Sequence, residues 1–197
     1  MFSNPRRSRI FALLLLVISV PAAAHFLLNL NVRIFHVDHR ADGLMLYARM
    51  PMPYLVADKL GEIPENGMPD PAPFTTNAME DDLLVHFVAW DQLREASSGL
   101  GQIFADSLQV EAADGLLTPE VVDTRVHVLG EEAGFATLAE AVAIFDSEPA
   151  WPPDGTRVYV GDAVVDVQLY LPGRFIDSRI QLIQLAGSWP AWSGRHG

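Results

Sequence analysis

The chain has 197 residues, half of them hydrophobic, with 25 acidic side chains against 13 basic ones and a formal net charge of −12. That balance lacks the basic patch phosphate binding requires, so no nucleic-acid partner is expected. The absence of cysteine excludes thiol catalysis, zinc–thiolate sites, Fe–S clusters and lipid anchoring through a cysteine.

The N-terminus has the three parts of a secretory signal peptide over residues 1–24. Arg6, Arg7 and Arg9 form a positive n-region, and Ile10 to Val20 form an apolar h-region too short to cross a ~30 Å hydrocarbon core. Pro21 breaks the segment, and Ala22-Ala23-Ala24 supplies the small residues of a cleavage site. Cleavage would remove three arginines and no acid, taking the charge from −12 to −15, and leave His25 as the new N-terminus. The expected location is therefore extracytoplasmic, periplasmic or secreted. No later apolar run is of membrane-spanning length, so the mature chain is not expected to span a membrane.

In the mature chain, Leu30, Val32, Ile34 and His36 alternate with Asn31, Arg33 and Phe35, the period of a half-buried strand. Asp42-Gly43 marks a turn, and Leu44, Leu46, Ala48 and Met50 resume the alternation, predicting a β-hairpin that Pro51 and Pro53 end. A short helix is predicted over Tyr54 to Leu60. The proline-bearing stretch from Glu62 to Asn77 reads as a surface loop. Leu83 to Val88 reads as a strand, followed by a helix from Gln92 capped by Asp91, an interruption at Gly99 and Gly101, and a helical piece over Ile103 to Ser107. Leu108 to Ala112 and Val122 to Val128 read as strands, with a turn at Asp114-Gly115. Thr137-Leu138-Ala139-Glu140 is a capping box opening a helix to about Phe145. Arg157 to Val160 and Ala163 to Tyr170 complete the strands, and residues 172 to 197 form a tail with one more strand near Arg179 to Leu185. The tail's last ten residues read as irregular, as expected of a truncated end. The pattern predicts one mainly β extracytoplasmic domain over residues 25–171, an antiparallel β-sandwich-like arrangement with a few short helices.

Histidine carries the strongest chemical signal. A free α-amine beside the His25 imidazole would chelate Cu(II), and His36, Asp38 and His39 offer further ligands within four residues. Copper or nickel is the cofactor these residues would hold. The alternative is that His36 continues its strand's apolar stripe while Asp38 and His39 sit in a solvated turn. His86 and His127 read as structural or surface residues. The acids Glu80-Asp81-Asp82, Asp162 and Asp166 read as solvated groups at strand ends. Met45 and Met50 fall on opposite faces of one strand and so fill the core rather than bind metal. No catalytic or phosphate-binding motif occurs, and Gly99-Leu100-Gly101 lacks a third glycine.

An exported chain beginning with histidine, Val32-Arg33-Ile34, Asp42-Gly43 leading to Leu44-Met45-Leu46, Met50-Pro51-Met52-Pro53, and the run from Tyr159 to Val167 follow one another in order. Together they resemble the extracytoplasmic N-terminal part of HupE/UreJ-type membrane proteins, over about His25 to Tyr170. That resemblance implies a soluble domain leading into a membrane bundle associated with nickel or cobalt uptake. No apolar run of 18 or more residues follows the leader here, so transport itself is not implied. The expected function is a non-enzymatic β domain that binds a partner or ligand, with a membrane protein as the partner. The alternatives are a periplasmic copper or nickel binder using His25, and a secreted hydrolase.

Overall fold

A computed structural model of the chain describes residues 32–62, 64, 68–112, 115–173 and 181–184. The expected leader 1–24, His25 and most of the tail lie outside them. The described residues are mainly β, with antiparallel sheets and a few short helices.

The predicted hairpin is present as β1 (Ile34–His39) and β2 (Gly43–Pro51), with His39 opposite Leu44 and the turn closed by Arg40 N–H donating to the Gly43 carbonyl at 2.9 Å. Gly43 is required by contact. A Cβ there would lie 2.5 Å from the Tyr170 ring and 2.6 Å from the Leu171 carbonyl oxygen. The chain continues through α1 (Pro53–Val56) and a 3-10 turn (Ala57–Lys59), then β3 (Thr75–Glu80) and β4 (Leu83–Val88). The predicted proline loop thus ends three residues earlier than expected, because Thr75 to Asn77 pair with β4. Asp81 (φ 48°) and Asp82 (φ 63°) form the two-residue turn between β3 and β4, the left-handed geometry that matches strand twist. The acidic run is therefore a hairpin tip.

Next come α2 (Trp90–Glu95), α3 (Gly99–Ser107), β5 (Leu108–Ala112), β6 (Gly115–Leu117), β7 (Glu120–Val128), α4 (Leu138–Asp146), a 3-10 turn (Val160–Asp162), β8 (Ala163–Pro172) and β9 (Gln181–Gln184). Helix α2 begins at Trp90, so Asp91 lies in its first turn rather than capping it, and no side chain caps the preceding Ala89. Helix α3 starts at the two glycines that were expected to interrupt it. Their lack of a side chain serves packing: a Cβ on Gly99 would meet the Phe74 ring at 2.1 Å, and one on Gly101 would meet Thr124 Oγ1 of β7 at 2.2 Å. The predicted strand at Arg157 to Val160 reduces to a single bridge between Tyr159 and Phe87. The last predicted strand is present as β9, paired with β5 in a three-stranded sheet ordered β6-β5-β9.

The main sheet has the order β1-β2-β8-β7, antiparallel throughout. Alternation sends Leu44, Leu46, Ala48 and Met50 of β2, with Val165, Val167, Leu169 and Leu171 of β8, into one core with Leu93, Leu100 and Phe104. The opposite face carries Met45 and Tyr47 against Phe135, Ala141 and Ile144. Met45 and Met50 fall on opposite faces, as their spacing required. Strand β2 is buried along its whole length because helices pack on both faces, α3 on one and α4 on the other. Helices α3 and α4 thus pack on the main sheet, with Val88 of β4 and Leu108 and Val110 of β5 sharing the α3-side core, and these contacts do not establish the expected sandwich of facing sheets. Among the described residues no helix is long and apolar enough to cross a membrane.

Candidate functional site

On the α4 face of the main sheet, ion pairs sit beside the apolar contacts of Met45 and Tyr47. Register places Arg49 of β2 and Arg125 of β7 on either side of Asp166 in the central strand β8. Asp166 is 0% exposed, so its charge survives only with strong hydrogen bonds. It has three. Arg49 donates through Nε and Nη2, each at 2.7 Å, in a two-pronged pair, and His127 Nε2 donates at 2.9 Å. The reading of Asp166 as a solvated acid is therefore corrected: it occupies an inward position of β8 under α4. Asp162, by contrast, is exposed.

Arg49 reaches beyond the sheet. Its Nη1 donates to the Ala133 carbonyl at 2.7 Å, and its guanidinium lies 4.6 Å from the centre of the Phe135 ring. His36 holds the same loop from β1, with Nε2 donating to the Phe135 carbonyl at 2.9 Å and its ring 5.3 Å from the phenyl ring. The segment between β7 and α4 is thus clamped by two side chains from the sheet. Beyond it, the capping box forms as predicted: Glu140 N–H donates to Thr137 Oγ1 at 3.3 Å, and Thr137 N–H to Glu140 Oε2 at 2.9 Å.

Between β7, this clamped loop and α4 lies a cleft of about 410 Å³, lined by Arg125, His127, Glu131, Glu140, Ser147, Glu148 and small apolar residues. Arg125 donates to Asp123 and to the Ser147 carbonyl, which ties β7 to the end of α4. Ser147 Oγ donates to the Ile144 carbonyl at 2.7 Å. Among the described residues, the His127 ring bonds only Asp166. A site of this volume, with an apolar floor and a few fixed polar groups, suits a small ligand or a side chain of a partner.

The sequence-predicted ligands are dispersed. His36 is half-buried and committed to Phe135, Asp38 pairs with Arg40 at 3.2 Å, and His39 is exposed at the end of β1. His25 lies outside the described residues. Among the described residues no three His, Asp or Glu side chains converge as a metal site would require. His86 sits in the β3–β4 hairpin, where Nδ1 donates to Asn77 Oδ1 at 2.8 Å and Asn77 in turn donates to the Pro69 carbonyl at 2.9 Å. Burial holds its imidazole below the usual histidine range.

Sequence reasoning missed Arg49 and the role of Asp166. The available signal was an ionised residue of each sign at an inward position of an apolar strand, Arg49 within Leu44 to Met50 and Asp166 within Ala163 to Leu169. No family model, curated protein or solved structure matches the chain.

Proposed function

We propose that the chain is an exported, non-enzymatic binding domain that engages a ligand or membrane-protein partner through the α4 cleft. In this reading it plays a role similar to that of the soluble part of HupE/UreJ-type membrane proteins. The observation that carries the proposal is the cleft itself, set over the buried Arg49–Asp166–His127 network. Such a network fixes the wall of a recognition site at a stated geometry, because each member is locked by the others. Ser147, the hydroxyl nearest in kind to a nucleophile, gives its hydrogen to the Ile144 carbonyl and not to His127. That supports binding over acyl transfer.

The test uses the mature chain immobilised against a detergent-solubilised HupE/UreJ-type membrane bundle. Wild type should retain it, and Ala143→Trp, which plugs the cleft from an exposed position on α4, should lose it. Retention unchanged by the plug, or turnover of an ester or glycoside panel by the wild type, would overturn the proposal.

A second reading rests on His39, which stays exposed beside Asp38 on the edge strand β1. In it, the mature His25 joins His39 in a copper or nickel site. Titrating the mature protein with Cu(II) and Ni(II) tests this. Affinity unchanged by one residue added before His25 would sink it.

A further inference from the structure

We infer that the α4 cleft takes an aliphatic ammonium or guanidinium group, an inference that rests on the cleft being the binding site. The argument is an inventory of what the lining can donate and accept. Arg125 spends one N–H of one Nη on Asp123 and one N–H of the other on the Ser147 carbonyl, which holds its guanidinium against the wall, and its Nε has no accessible surface. His127 commits Nε2 to Asp166, so only Nδ1 of its ring is left to face the cleft. Ser147 Oγ spends its hydrogen on Ile144 and can only accept. Glu140 uses one oxygen for Thr137 N–H and keeps the other. Glu131 and Glu148 are exposed and have no cation partner among the described residues.

The lining therefore presents acceptors on Glu131, Glu140, Ser147 and Glu148, and its side-chain donors are confined to the anchored Arg125 and the His127 ring. Its formal charge points the same way. Arg125 and Arg49 are balanced by Asp123 and Asp166, while Glu131, Glu140 and Glu148 are not balanced. The complementary group is a cation with several N–H donors. Ala133, Ala143, Ile144 and Ala150 supply an apolar surface along which a short methylene stem can lie. An arginine or lysine side chain of a partner polypeptide has this chemistry, and so does a free alkylamine.

The experiment follows the His127 imidazole and Glu140 and Glu148 carboxyl resonances of the mature chain during titration with agmatine, butyrate and butanamide. Agmatine should shift all three groups saturably, and the other two probes should not. Glu131→Gln/Glu148→Gln should weaken agmatine at least tenfold. Glu140→Gln should also weaken it while preserving the helix cap, since the glutamine carbonyl still accepts from Thr137. Blocked Gly-Arg-Gly binding tighter than agmatine assigns the group to a polypeptide, and weaker binding assigns it to a free amine. Butyrate or butanamide binding as well as agmatine would overturn the ligand class while leaving the cleft as a binding site. No probe moving the cleft resonances, with Ala143→Trp leaving partner retention intact, would overturn both.

Discussion

A carboxylate with no solvent contact is tolerated in a sheet only while its partners stay in place, and Asp166 has Arg49 and His127 to hold it. Removing one partner of such a pair leaves the other charge buried and uncompensated, which costs about 3–5 kcal/mol. Asp166→Leu should therefore lower unfolding free energy by about that amount in chemical denaturation. The double variant Arg49→Met/Asp166→Leu should lose less than the single one, because both desolvated charges are gone. His86 supplies a pH dependence of known sign. Its folded-state value lies below its ordinary value of 6.5 because burial disfavours the charged ring. The unfolded chain then binds more protons as pH falls below 6.5, so stability is full above that pH and declines as pH drops through the folded value. His86→Gln should flatten that limb of a stability–pH curve measured between pH 7.5 and 5. These partners were not legible in the sequence, since Arg49 and Asp166 are 117 residues apart and meet only through the register of β2 on β8.

At the scale of elements, local signals were legible and close approaches were not. The Thr137–Glu140 box predicted the start of α4 because both of its hydrogen bonds span three residues. Thr137→Ala should cost about 1 kcal/mol and loosen the helix end bordering the cleft, seen as faster amide exchange at Glu140 and Ala141. Helix α3 shows the opposite case. Its glycines look like breaks in the sequence, yet Gly101 lies where β7 leaves no room for a Cβ. Alanine is favoured over glycine within a helix by roughly 0.5–1 kcal/mol. The contact with Thr124 and Val121 nevertheless decides the outcome. Gly101→Ala should destabilise by about 1–3 kcal/mol. By comparison, the exposed neighbour Gln102→Ala should stay within about 0.5 kcal/mol. A Gly101→Ala variant as stable as wild type in the same denaturation series would contradict this packing.

Across the whole molecule, alternation was enough to identify an antiparallel, mainly β chain but not to say what covers its faces. Periodicity in β2 and β8 marks one apolar side, and the second side, under α4, combines Met45 and Tyr47 with Arg49, Asp166 and Arg125, whose charges are held in ion pairs. That charged second face is what distinguishes the cleft from ordinary packing. The central claim is that binding occurs there, and hydrogen–deuterium exchange of residues 25–197 with and without the proposed HupE/UreJ-type membrane bundle tests it most directly. Protection concentrated over residues 125–150, with the hairpin tip at Asp81 and Asp82 unchanged, is the predicted result. Protection of the β3–β4 hairpin with residues 125–150 unchanged would contradict it.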